Sequence, residues 1–394
     1  MAVETMAREP SRSLSWNDPW VRGIVYQVVV AGAVAALGWY LVNNTLDNLQ
    51  RAKIASGFSF LDRESGFAIG ESLIEYSPAS SYGRAFAVGL LNTLRVAVIG
   101  IVLSTVLGTA IGIARLSSNW LIAKLSSLYV EVIRNVPLLL QLFFWYALIT
   151  ENMPGPRQAA NPLPGVYISN RGFKFPLMAE HWIWDWCWVA VGVGTISALW
   201  LFSWARERQN QTGKAFPLLW PSLGLILGLP LLAWLFGGAP TKVVVPELRG
   251  FNFQGGGSLT PEFAALLIGL TMYTAGFIAE IVRAGILAVP KGQWEAAGAL
   301  GLKRGPVLRL IVLPQALRVI VPPMTSQYLN ITKNSSLAVA IGYPDVVSIA
   351  NTTMNQTGQA IEGIALIMAV YLTISLLISA FMNWYNKRVA LVER

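Results

Sequence analysis

Apolar residues along this chain gather into long runs separated by shorter polar stretches. A helix needs about 20 largely apolar residues to cross roughly 30 Å of hydrocarbon. Runs at about 24–42, 86–114, 125–149, 182–204, 216–236, 263–287, 311–333 and 361–385 meet that length. The pattern predicts an all-α integral membrane protein of about eight transmembrane helices. The first run holds Ala33-Val-Ala35, which resembles a signal-peptide cleavage site. It continues through Trp39-Tyr40 to Val42 behind a polar arm, so a retained anchor is expected.

The polar stretches orient the spans. Segments 1–23, 115–124, 205–214, 283–310 and 386–394 hold 16 of the 29 Lys and Arg, against nine in the longer alternate segments. Cytoplasmic loops carry the excess of Lys and Arg, so both termini and the 288–310 loop are expected in the cytoplasm. The net charge of +9 comes from residues dispersed between apolar spans, which argues for orientation rather than for nucleic acid.

Composition agrees: 54% hydrophobic residues, 12% charged, mean hydropathy +0.53. One Cys and one His exclude a disulfide framework and a Cys/His metal site. His181 and Cys187 sit in a Trp-rich stretch and are expected to be structural. Ser/His/Asp or Cys/His constellations are missing, so the chain is expected to be non-catalytic. It carries no G-x-x-x-x-G-K-[ST] loop either, and any ATP chemistry would belong to a partner.

Five blocks follow. Residues 1–23 are a cytoplasmic arm, and 24–85 hold the anchor and an outside segment expected to lie along the membrane surface. Residues 86–149 form a helical hairpin. Residues 150–262 open with a Pro/Gly-rich outside stretch and add two spans that contain eight of the fifteen Trp, a composition of the lipid interface. Residues 263–394 supply three spans and the polar loop at about 288–310.

That loop contains Glu295-Ala-Ala, three residues, Gly301, nine residues, then Ile311-Val-Leu-Pro314. It fits the E-A-A-x3-G-x9-I-x-L-P signature of permease subunits in ATP-driven bacterial importers at every specified position. The stretch Glu131-Val-Ile-Arg134-Asn-Val-Pro137-Leu-Leu-Leu-Gln141 resembles the E-x-x-R-x-x-P-L-L-x-Q segment of polar amino-acid ABC permeases. The run from Tyr273 through Glu280 and Arg283 to Gln293-Trp-Glu295 is similar to another segment of that family. The likeness covers about 86–149 and 263–390. It implies a five-helix type I ABC permease core, from which the first anchor and 150–262 depart. Those additions, with the opening Trp16-Asn-Asp-Pro-Trp, resemble the long first permease subunits of general L-amino-acid importers. The resemblance further implies a second homologous permease, two ATPase subunits carrying ATP-Mg, a periplasmic amino-acid-binding protein, and the bacterial inner membrane. No cofactor is expected on this chain.

The motif residues have physical readings of their own. Gln293 to Leu300 are expected to form about two helical turns broken by Gly301, with Glu295 in the first turn, where the helix dipole favours an anion. Ala296, Ala297, Gly298 and Ala299 would leave a surface without bulk for an ATPase groove, and Pro314 closes the coupling motif. Glu131/Arg134 and Glu280/Arg283 are i,i+3 pairs, read either as ion pairs at span ends or as gating or subunit contacts. Arg95 and Arg318 have no local partner. Gln141 either faces a substrate path or bonds between helices. Pro322-Pro323 predict a kink or break near mid-membrane. An outer half-helix starting near Met324 would then offer Thr325, Ser326 and Gln327 to a substrate carboxylate, with Lys333, Asn334 and Ser335 further out. A plain structural kink is the other reading. An ion-driven secondary transporter is the alternative function; it has no use for the Glu295 loop and would need an acidic ion site.

Overall fold

The computed structural model describes residues 19–51, 56–214 and 216–389. The arm expected at 1–23 therefore lies mostly outside the described residues, as does the end of the chain from 390.

Chain order is α1 (Pro19–Arg51), α2 (Tyr82–Ala114), α3 (Trp120–Asn135), α4 (Leu138–Asn152) and α5 (Ile183–Thr212). Then α6 (Leu219–Leu223) runs through a π-turn at Gly224–Gly228 into α7 (Leu229–Phe236). Helices α8 (Pro261–Leu287), α9 (Lys291–Ala299) and α10 (Arg304–Val307) follow. A second π-turn, Leu308–Val312, leads into α11 (Leu313–Asn334), and α12 (Val346–Thr357) and α13 (Ala360–Val389) follow. Among the described residues, seven helices or continuous helical runs are long and apolar enough to cross a membrane, eight if α3–α4 counts as one bent span.

Helix α8 is the axis of the bundle. It runs parallel to α2, with Arg95 against Phe263 at one end and Arg115 against Glu280 at the other. Glycines on α2 permit the approach: a Cβ on Gly108 would meet Ile278 Cβ at 2.6 Å, and one on Gly112 would meet the Ala279 carbonyl at 2.6 Å. Helix α11 is antiparallel, with Ile320 filling the space beside Gly285 and Ile331 packed among Leu266 and Leu270. Helix α4 meets α8 through Leu142 at Gly269, and the Tyr146 hydroxyl donates to Glu262 at 3.2 Å. A second apolar cluster joins Ala297 of α9 to Val312, Ala316 and Met382, so α9 and the end of α13 share one end of the bundle.

Several expectations change here. The span expected at 125–149 is two helices that meet at 105°. Pro137 brings no N–H and forces Val136 into an extended conformation (φ −99°, ψ 127°), which stops α3. Pro322-Pro323 do not break α11, which continues through both. The prolines are exposed, while Ile320, Val321 and Met324 beside them are buried, and that packing keeps the helix continuous across the two missing donors. The helical run is also longer than 311–333, extending over Gly305–Ile341.

The segment expected along the membrane surface is pinned to the bundle. Phe60 is fully buried with Phe86, Val346 and Ile349. Glu362 accepts from the Gly57 N–H at 2.6 Å, and Asn92 Nδ2 donates to the Glu71 carbonyl at 2.9 Å. Glu71 pairs with Arg95 and accepts from Thr260, the residue that caps α8. Arg95, which lacked a local partner in sequence, thus finds one 24 residues away.

Residues 150–262 hold a β-layer that the sequence did not announce. Strands β1 (Ala160–Leu163), β2 (Val166–Ser169), β3 (Gly172–Phe175), β4 (Leu177–Met178), β5 (Val243–Val244), β6 (Glu247–Arg249), β7 (Asn252–Gln254) and β8 (Gly257–Leu259) are all short. They form one four-stranded sheet, β1-β2-β3-β8, and two two-stranded ribbons, β4-β5 and β6-β7. The β3–β8 register, Phe173 opposite Leu259, delivers the chain to the cap of α8. Helices α5 and α7 pack on each other, with Gly237 against Ile183. Trp182, Trp186, Trp188, Trp200, Trp204 and Trp220 remain exposed.

Asp345 caps α12 through the Ser348 N–H (2.8 Å) and is fully buried. Burial raises its carboxyl to about 7, against hydrogen bonds from backbone N–H groups and the Tyr371 hydroxyl that favour the charge. A folded-state value above the usual aspartate range of about 3.9 means that the native state holds the proton more tightly. This contribution is complete below about pH 4 and lost as pH rises through about 7. The melting temperature is expected to fall between about pH 4 and pH 7, and Asp345→Asn, which keeps a capping oxygen, should flatten that slope. An equal slope in the variant would refute the assignment.

The exposed helix α9 and the uncovered face of the bundle

Pro290, without an N–H, begins α9. The helix ends in a Schellman motif: Gly301 has φ +72°, its N–H bonds Gly298 O (2.9 Å), and the Leu302 N–H bonds Ala297 O (3.2 Å). Ala297 is buried, with Trp294 packed against the same cluster, whereas Glu295, Ala296, Gly298, Ala299 and Leu300 are exposed, Leu300 by 78%. The side chain without bulk that the sequence counted as surface at 297 is thus the anchor. Glu295 stands fifth in a helix that begins at Lys291, past the first turn assigned to it. Pro314 is the second residue of α11, directly after the π-turn that absorbs an unpaired register position.

At the same end, Glu280 receives Arg115 from α2 and Arg283 from its own helix, with Arg283 Nη2 donating at 2.6 Å. The expected pair exists and ties two helices together. The other expected pair does not form. Glu131 is exposed, and Arg134 lies over the Phe277 ring, 4.9 Å from its centre.

Gln141 is buried and belongs to the α3–α4 elbow. Its amide donates to Ile133 O and Val136 O, both at 2.9 Å, satisfying carbonyls at the end of α3. Because α11 is unbroken, Thr325 has no free helix end to share; its hydroxyl bonds Val321 O at 3.5 Å. Ser335 is buried and donates to Thr332 O. Gln327 and Asn334 are half-buried, while Ser326 and Lys333 are exposed. Sequence reasoning overlooked Asn330, which is also exposed and shares a helix face with Ser326 and Lys333. The signal was the i, i+4, i+7 spacing of polar residues in an apolar span. That face is turned away from α2 and α13. Arg318 is half-buried, with an Nε that has no partner among the described residues.

An apolar bundle with a short polar strip exposed on α11 and a small exposed helix at one end has the features of a membrane transport subunit. Residues 190–391 match the family model described as "Binding-protein-dependent transport system inner membrane component". The putative amino-acid ABC transporter permease protein YhdX of Escherichia coli K12 is 53% identical over 385 residues, 97% of this chain and 98% of that protein. The general L-amino acid transport system permease protein AapQ of Rhizobium johnstonii is 48% identical over 400 residues, all of both chains. BztB of Rhodobacter capsulatus, a glutamate/glutamine/aspartate/asparagine transport system permease protein, is 43% identical over 410 residues and 96% of each. A solved amino acid ABC transporter with histidines aligns with 78% of this chain and 95% of its own at 21% identity, TM-score 0.46. The chain belongs to the family of binding-protein-dependent transport system inner membrane components. It is a multi-pass permease subunit of an ABC importer.

Proposed function

We propose that this permease serves an importer of L-amino acids, pairs with a second, homologous permease, and couples through α9 to two separate ATPase subunits that carry ATP-Mg. A periplasmic amino-acid-binding protein delivers the substrate to the end of the bundle that bears the β-layer. Both termini and α9 lie in the cytoplasm, in line with the excess of Lys and Arg on that side. The observation that carries the coupling role is the exposed, Schellman-capped α9, whose small residues let a partner helix or groove approach closely. The amino-acid reading is supported by the names of relatives that align over nearly the whole chain.

The substrate path follows the open strip of α11 rather than a half-helix. Ser326 and Asn330 offer hydroxyl and amide groups there, and Lys333 stands toward its end. Reconstitution with the second permease, the ATPase and the binding protein should give uptake of labelled L-glutamate, L-leucine or L-histidine that requires ATP hydrolysis. Uptake driven by an ion gradient without ATP would refute the reading. Asn330→Leu is expected to lower uptake about tenfold, the scale of one lost polar contact. Ser335→Ala, whose hydroxyl is committed to a carbonyl, should change it less than about twofold.

A further inference from the structure

The elbow between α3 and α4 presents a charge that the chain leaves unanswered. Arg134 is in the last turn of α3 and is exposed, its guanidinium held over Phe277. Gly276 makes room for it: Arg134 Cγ lies 3.5 Å from the position a Cβ would take there. Among the described residues no carboxylate pairs with it. Glu131, one turn back, points elsewhere, and Glu280, one turn along α8, is taken by Arg115 and Arg283.

Depth makes this costly. Phe277 is ten residues, about 15 Å along the axis, from the end of α8 at Leu287, within a helix long and apolar enough to cross a membrane. An unpaired guanidinium at that level must meet water or an anion. The side of α8 it occupies is the one that α2 and α11 leave free. Ile278, Ala279 and Val282 face α2 and Gly285 faces α11, whereas Tyr273 and Phe277, whose rings touch, are half-buried and Ala284 is exposed.

We infer that Arg134 receives the α-carboxylate of the amino acid in transit at the elbow. The inference rests on the amino-acid importer reading above. A guanidinium binds a carboxylate through two parallel N–H donors, and the Phe277 ring keeps its plane in place. Because every L-amino acid carries this group, the contact is blind to the side chain. Recognition at this point therefore tolerates varied substrates.

The test uses the complete transporter reconstituted with its second permease, ATPase and binding protein. Initial uptake of L-glutamate, L-leucine and L-histidine is measured for wild type, Arg134→Gln and Arg134→Lys, with subunit co-purification and ATPase activity without binding protein as further readouts. Arg134→Gln is expected to lower uptake about 30-fold for all three, equal within about threefold, with assembly and basal ATPase unchanged. Arg134→Lys should recover part of the loss, because it keeps the charge but not the two-pronged geometry. Loss confined to one side-chain class, or undiminished uptake by Arg134→Gln, overturns the inference and leaves the importer reading intact. Dissociation of the two permeases in Arg134→Gln assigns the guanidinium to a carboxylate of the second permease and also overturns it. Wild-type complex that takes up none of the three refutes the importer reading and this inference together.

Discussion

Gly301→Leu is expected to leave the transporter assembled in the membrane while lowering uptake per ATP hydrolysed about tenfold. Gly301 sits at φ +72°, where an L side chain costs roughly 1–2 kcal/mol, yet a Cβ there would meet nothing within 4 Å. The substitution therefore unwinds the Schellman cap without a clash elsewhere. It releases the Leu302 N–H from Ala297 O, and the exposed face of α9 loses its fixed angle to the bundle. Glu295→Lys changes only exposed charge and should also uncouple, through the surface rather than through the backbone. Uptake and ATPase activity measured on the same proteoliposomes decide the matter. Normal coupling in both variants at wild-type expression would remove α9 from the coupling role.

Gly112→Val should be the most damaging single substitution in the helical core. A Cβ at Gly112 would stand 2.6 Å from the Ala279 carbonyl and 2.9 Å from Val282 Cβ, so a backbone must move. Overpacking of this kind costs about 1–3 kcal/mol where side chains alone can adjust, and more where they cannot. The same shift pulls Arg115 from Glu280, which leaves a charge short of its partner. Gly32→Val on α1, where nothing lies within 4 Å, is the control. Thermal melting of the detergent-solubilised complex should show a loss of several degrees or no recoverable complex for Gly112→Val and no change for Gly32→Val. Equal melting would mean that α2 and α8 are not locked as described.

The spans were readable because apolar length alone decides whether a segment can cross, and the Glu295 loop because Gly301 has a conformational duty that sequence records. Direction is another matter. The run at 125–149 is long and apolar enough for one span, and hydropathy does not register that Pro137 turns the chain by 105° in the middle of it. At Pro322-Pro323 the error was opposite. Local propensity asked for a break, and the packing of Ile320, Val321 and Met324 overrode it. The β-layer escaped notice because strands of two to four residues carry too little alternation to be seen among Pro and Gly. Glu71 escaped for a different reason: its partners Arg95 and Thr260 lie 24 and 189 residues away, a distance at which no spacing rule operates. Of the residues expected along the path, Ser326 and Lys333 are exposed on α11. The Gln141 amide nitrogen and the Ser335 hydroxyl donate to nearby carbonyls, a choice that composition cannot reveal.

The Tyr146–Glu262 hydrogen bond has a genetic corollary. It joins the helix after which the β-layer and α5–α7 begin to the helix that resumes the core, so the chain departs and returns at adjoining points. Whatever lies between two such points is free of any length requirement, because closing a loop across a fixed short gap costs only about 0.6 kcal/mol more for each doubling of its length. The gene can therefore carry this stretch as a cassette, lengthened, trimmed or exchanged in frame, provided that Thr260 survives at the seam to cap α8 and to hold Glu71.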